Sequence, residues 1–100
     1  MKERKVVCSV PFDDLPLEAL AARCRAIWKN KGFCALFTPN AVMLAAASRE
    51  ESLRRLLCAA DVSAMDGDGV LWAAERAGIA FRHGKNPGVV LGRQLLAEAA

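Results

Sequence analysis

The hundred residues predict an α/β chain, a Rossmann-like and mainly parallel sheet with helices packed on it. Three observations carry that expectation. Short apolar runs alternate with stretches of helical spacing along the whole chain. Phe33-Cys34-Ala35-Leu36-Phe37 has no polar residue, as expected for a strand covered on both faces. Two such runs end in polar residues, Thr38-Pro39-Asn40 and Asp66-Gly67-Asp68-Gly69, and each leads into a helical pattern. In a βα fold that arrangement lines one crevice at the carboxyl edge of the sheet.

The elements follow in order. Lys5 to Val10 is β-branched and short, a first strand that Pro11 would end. Asp14 can cap the next helix, with Pro16 in its first turn where a missing N–H does no harm. Leu17, Leu20, Ala21, Cys24, Ile27 and Trp28 give that helix an apolar face, and Lys31-Gly32 should end it. After the Phe33–Phe37 strand, Asn40 is a helix cap, with Val42, Met43, Ala46 and Ala47 on the buried side. Ser48 with Glu51 forms a capping-box pattern, so a separate helix starts there and packs through Leu53, Leu56 and Leu57.

Asp61 to Met65 is a third apolar strand. Asp68 or Gly69 opens a helix through Trp72 and Ala77, with Gly78 as its C-terminal cap. Ile79-Ala80-Phe81 reads as a brief strand or extended piece, Arg82 to Gly88 as a loop, and Val89 to Ala100 as a final helix with Leu91, Leu95 and Leu96 inward. Trp28 and Trp72 fall on apolar helical faces and are expected in the core. Residues 1–100 thus form one small α/β domain, in which roughly 60 % of the unfolded surface is buried.

Composition excludes several function classes. With 14 basic and 11 acidic residues and a net charge of +3, the charge balance does not argue for nucleic acid, and no basic stripe is interleaved with aromatics. Cys8, Cys24, Cys34 and Cys58 form no CxxC pair and read as reduced thiols of a cytosolic chain. The longest uncharged run, Gly32 to Ser48, is 17 residues, but Thr38-Pro39-Asn40 breaks it, so it is strand, turn and helix and not a membrane span.

Asp66 is the residue on which the chemistry turns. A strand-end carboxylate followed by glycines can serve as a general base, a metal ligand, a nucleophile or merely a turn and cap. Asp66-x-Asp68 is similar to the carboxylate pair that holds a divalent ion in many glycosyltransferases, a short and common spacing. Asp-x-Asp-Gly-Val after an apolar strand also resembles the first motif of the haloacid-dehalogenase-like phosphatases. That family needs a later lysine and an acidic pair, and only Lys85 is present. His83, the single histidine, reads as a solvated loop residue.

Several segments in register resemble the N-terminal half of the WecG/TagA/CpsF glycosyltransferases. They are Val10-Pro11-Phe12-Asp13, Phe37-Thr38-Pro39-Asn40, Ala60-Asp61 and Met65-Asp66-Gly67-Asp68-Gly69-Val70-Leu71-Trp72-Ala73-Ala74. The resemblance implies transfer of a hexosamine-type sugar, N-acetylmannosamine or its uronic acid, from a UDP-sugar donor to a polyprenyl-diphosphate-linked saccharide in cell-surface polysaccharide synthesis. It further implies inversion at the anomeric carbon, no required metal or other cofactor, and a cytoplasmic enzyme peripheral to the inner face of the plasma membrane. By that likeness Asp66 is the catalytic base, and Thr38, Asn40, Gly67 and Lys85 contact substrate.

The sequence departs from the family pattern in two places. Lys85-Asn86-Pro87-Gly88-Val89-Val90 fits a frame in which the family carries Arg at the first position and Asp at the last. Lysine keeps the charge but loses the planar fork suited to a diphosphate, and Val90 has no carboxylate. Members of the family also run to about twice this length, so a truncated chain is expected. The alternative reading is therefore a catalytically inactive α/β domain that keeps nucleotide or protein binding. A third is a homo-oligomer held together through an uncovered strand edge and apolar helix face.

Overall fold

A computed structural model of the chain describes residues 4–86 and 88–99. The mixed α/β class holds, with five helices and two small two-stranded sheets among the described residues. β1 (Arg4–Val7) and β2 (Val10–Asp13) form an antiparallel hairpin. It is followed by α1 (Leu17–Lys31), β3 (Leu36–Phe37), α2 (Ala41–Ala47), α3 (Glu51–Cys58), β4 (Val62–Ser63), α4 (Asp68–Arg76) and α5 (Gly88–Ala99). The parallel component of the expected sheet is the β3–β4 pair, with Leu36 opposite Val62 and Phe37 opposite Ser63.

The hairpin replaces the single strand expected over Lys5–Val10. Pro11 does not end a strand but lies within β2, opposite Val6. The turn between the strands is made by Cys8 and Ser9 with φ of 51° and 67°. Two successive positive φ values suit the right-handed twist of a two-residue hairpin turn, which ordinarily selects Asn-Gly or Gly-Gly. Side chains other than glycine lose roughly 1–2 kcal/mol each in that region. The hairpin is held instead by its side chains: Val7, Val10 and Phe12 are buried in the core. Cys58 also donates its thiol to the Ser9 carbonyl at 3.2 Å.

Alternation along β3 and β4 divides the interior into two clusters. Leu36, Val62 and Ala64 pack with Leu20, Ala21 and Cys24 of α1 and Leu91 of α5. Phe37 and Met65 point the other way, to Val7, Val10 and Phe12 of the hairpin and to Leu44, Ala47, Leu57, Val70 and Ala74 of α2, α3 and α4. The parallel pair is thus covered on both faces, which is why its strands carry so few polar residues.

Helix ends follow local chemistry. Gly32, at φ 84°, closes α1 by donating its N–H to the Trp28 carbonyl at 2.8 Å. Asn40 caps α2 through its side-chain oxygen, which accepts from Met43 N–H at 2.9 Å. After α4, Gly78 donates to Glu75 O and Ile79 to Ala74 O, the paired bonds of a Schellman end. Ser48 is not the cap of α3; its hydroxyl donates to the Ala45 carbonyl, and α3 starts after Glu50 without a side-chain cap. Ile79 to Phe81 forms no strand, and Phe81 instead packs edge-on against Phe12 at 6.4 Å between ring centroids.

Asp14 also departs from expectation, since α1 follows Pro16 with no side-chain cap. Its buried carboxylate accepts from Lys5 Nζ at 2.5 Å and from the backbone N–H groups of Arg82 and His83 at 2.8 and 3.0 Å. Asp13 beside it is equally buried. It accepts from Arg4 Nε at 3.0 Å, Arg23 at 2.9 Å and the Ser63 N–H at 2.8 Å. The two aspartates thereby join the hairpin to α1, to β4 and to the segment before α5.

Several apolar residues expected inside lie at the surface. Trp28 is 59 % exposed and Trp72 60 % exposed. The buried face of α4 is Val70 and Ala74, and Trp72, two residues after Val70, sits on the opposite side under the Arg76 guanidinium, 5.1 Å from the ring centroid. Val42 is 76 % exposed for the same geometric reason, two residues before buried Leu44. Leu56 and Leu96 also face outward, beside the inward Leu57 and Leu95.

Burial works against ionisation of Asp14, but the bonds from Lys5, Arg82 and His83 outweigh it and hold the carboxyl below its ordinary 3.8. A folded-state pKa below the unfolded value means that this stabilisation is complete above about pH 4 and is lost as pH falls through the folded-state pKa. Asp14→Asn should therefore lower the urea midpoint at pH 7, and its midpoint should fall less between pH 5 and pH 3 than that of the parent chain. Equal acid sensitivity of the two chains would show that Asp14 is not the group responsible.

Candidate functional site

The carboxyl ends of β3 and β4 lie side by side because the strands are parallel and adjacent. The register continues past Phe37, whose carbonyl accepts the Ala64 N–H at 3.0 Å. Thr38, Pro39 and Asn40 leave β3 at the edge where Met65, Asp66 and Gly67 leave β4. Two glycines then let the following helices close in. A Cβ on Gly69, in the first turn of α4, would stand 2.8 Å from the Ala41 Cβ at the start of α2. One on Gly88, the first residue of α5, would stand 3.0 Å from Thr38 Oγ1 and 3.2 Å from its Cγ2.

The segment before α5 is drawn to the same place. Asn86 donates its backbone N–H to the Met65 carbonyl at 2.8 Å and its side-chain amide to the Leu15 carbonyl at 3.0 Å. Lys85 Nζ meets Asp68 Oδ1 at 2.6 Å. Thr38, Asn40, Asp66, Gly67 and Lys85 thus all lie at one edge of the molecule, and the N-termini of α2, α4 and α5 open onto it. Helix N-termini present unpaired N–H groups and a partial positive charge, a setting that favours an anion.

Each residue has a defined local state. Asp66 is partly buried, and among the described residues nothing hydrogen-bonds to its carboxylate. Gly67 has φ 97°, a conformation in which any side chain is strained, so it turns the chain from β4 into α4 without blocking Asp66. The carboxamide oxygen of Asn40 is occupied by the α2 cap, which leaves its amide nitrogen as the end able to meet a substrate. Asp68 is exposed and carries the Lys85 ammonium, which balances its charge.

Gly69 and Gly88 are positions whose part in the site sequence reasoning missed. Gly69 was visible as a candidate helix start and part of the Asp66 motif, and Gly88 as a loop end within the Lys85–Val90 frame; neither the Ala41 nor the Thr38 contact has a local sequence signal. Asp13 and Asp14 were likewise hidden, because their partners lie as far as 69 residues along the chain.

The two parallel strands of this mixed α/β chain end side by side in a Thr-x-Asn and an Asp-Gly turn, each leading into a helix. The sequence profile of the WecG/TagA/CpsF glycosyl transferase family matches residues 5–100, nearly the whole chain, and the protein belongs to that family. No curated protein matches the chain in a sequence comparison.

The close approach of α2 and α4 gives a direct test. Gly69→Ala places a methyl group against Ala41 with less room than van der Waals contact allows, and overpacking of this kind typically costs about 1–3 kcal/mol. The urea midpoint of Gly69→Ala should fall accordingly, and the double variant Gly69→Ala, Ala41→Gly should recover part of the loss. No recovery in the double variant would locate the strain elsewhere.

Proposed function

We propose that the chain carries the acceptor-activating edge of a glycosyltransferase site, with Asp66 as the base. The reaction moves a hexosamine-type sugar, N-acetylmannosamine or its uronic acid, from a UDP donor to a polyprenyl-diphosphate-linked saccharide, with inversion and with no metal required. The acceptor hydroxyl attacks C1 of the sugar from the face opposite the leaving group, its proton passes to the Asp66 carboxylate, and UDP departs. Thr38 and the Asn40 amide would orient the sugar or acceptor from the neighbouring strand end. Lys85 and the starts of α4 and α5 would meet the diphosphate, whose negative charge grows as the C1–O bond breaks.

The observation that carries this reading is the meeting of Thr38, Asn40, Asp66 and Lys85 at one strand edge in a chain of this family. A Rossmann-like sheet is consistent with the β3–β4 pair and its two covered faces. The lipid-linked acceptor would bring the chain to a membrane surface; no described helix is long and apolar enough to cross a bilayer.

A second reading has its own support. Val90, in the first turn of α5, stands where the family pattern has Asp, and a chain without that carboxylate could bind nucleotide without turning over. The two readings separate in one pair of measurements, UDP binding by calorimetry and sugar transfer from the UDP-sugar to a lipid-linked acceptor. Under the first, Asp66→Asn lowers turnover by about 10²–10⁴-fold while UDP affinity stays near that of the parent. Undiminished turnover in Asp66→Asn removes the base assignment, and UDP binding without transfer by the parent chain favours the second reading.

A further inference from the structure

On the far side of the β3–β4 pair from the hairpin, α1, β3 and α5 border an open, largely apolar pocket of about 590 Å³. Its walls include Trp28, Leu36 and Leu95, and Cys24 and Cys34 both face into it. Cys24 lies on the buried face of α1, whereas Cys34 is partly exposed in the connection that enters β3. Cys34 packs against the buried cluster that contains Cys24. All four cysteines are free, and Cys8 and Cys58 lie exposed on other elements.

We propose that Cys24 and Cys34 are a reversible thiol–disulfide pair at the cavity wall, oxidised by low-molecular-weight disulfides that enter beside Trp28. Two thiols that line one wall can be brought to bonding geometry by a local backbone adjustment. Cys34 itself lies outside regular structure, between the φ 84° pivot of Gly32 and Ala35, which is held by bonds to Asp61 and Val62. The cavity supplies access for a reagent that the buried face of α1 alone would deny.

With oxidised glutathione the step balances as follows. The Cys34 thiolate attacks one sulfur, forming a mixed disulfide and releasing one glutathione thiolate. Cys24 then attacks the Cys34 sulfur and releases the second glutathione. The two protein protons end on the two glutathiones, which have taken up the two electrons. Cys34 reacts first because it is the more exposed. Burial pushes the Cys24 thiol up to about 12, with Cys34 and Asp13 adding to the effect and Arg23 opposing it. Burial also raises Cys34, with Asp61 adding and Lys31 opposing. The pair therefore stays reduced for long periods near neutrality and reacts faster as pH rises.

The bond would tie α1 to the start of the strand that carries Thr38, four residues beyond Cys34. The test uses the full chain with Cys8→Ser and Cys58→Ser, so that only this pair can react. After exposure to oxidised glutathione at pH 8.5, alkylation and peptide mass mapping should find Cys24 linked to Cys34 with no retained glutathione. The thermal midpoint should rise and return on addition of dithiothreitol, since closing the intervening loop restricts the unfolded chain. A stable glutathione adduct on Cys34 with Cys24 still alkylatable after unfolding, or no reaction, would overturn the proposal. A linked form with a lowered midpoint would overturn it too, because the bond would then be straining the fold.

Discussion

Everything in this chain hangs on two adjacent buried carboxylates at the end of a hairpin. Buried charge is costly unless paired and hydrogen-bonded. Asp13 meets that condition with two guanidinium groups and one backbone N–H, and Asp14 with an ammonium group and two backbone N–H groups. Their partners come from β1, α1, β4 and the segment before α5, so the elements that make the strand-end crevice are positioned relative to this pair. Loss of either carboxylate would leave cations and backbone donors facing one another in the interior, a defect of about 3–5 kcal/mol.

The crevice itself depends on the absence of side chains as much as on their presence. Gly67 makes the turn that follows Asp66, and Gly69 and Gly88 allow two helices to begin in contact with Ala41 and Thr38. Asp66 carries the functional reading because its carboxylate has no bond among the described residues that would commit it to holding the fold. Asp68 next to it has the opposite character, an exposed partner for Lys85.

What the sequence made legible was local. Asn40, Gly32 and Gly78 could be read as helix ends because capping oxygens and positive-φ glycines act within a few residues of where they stand. Of the apolar runs read as strands, only Leu36–Phe37 and Val62–Ser63 pair as strand, and Phe33 at the start of the first run is exposed. The hairpin stayed hidden because Cys8-Ser9 has none of the residues that favour its turn, and tertiary packing of Val7, Val10 and Phe12 overrides that preference. Asp14 looked like a cap because its backbone donors, Arg82 and His83, are 68 and 69 residues away. Trp28 and Trp72 looked buried because a helical apolar stripe shows which faces could be covered, not which are.

The separation of the aspartates' partners along the chain also bears on how the molecule assembles. Arg4, Lys5 and Arg23 are only nine or ten residues from the carboxylates they bind, whereas Ser63, Arg82 and His83 are 50 to 69 residues away. A two-residue hairpin closes within about 1–10 μs, long before contacts of that span can be made. The carboxylates are thus neutralised by nearby cations first and are buried only when the later strand and loop arrive. Asp13, once the hairpin has closed, is the acceptor that the Ser63 N–H of β4 must meet, which makes the crevice at the ends of β3 and β4 dependent on contacts of long sequence span.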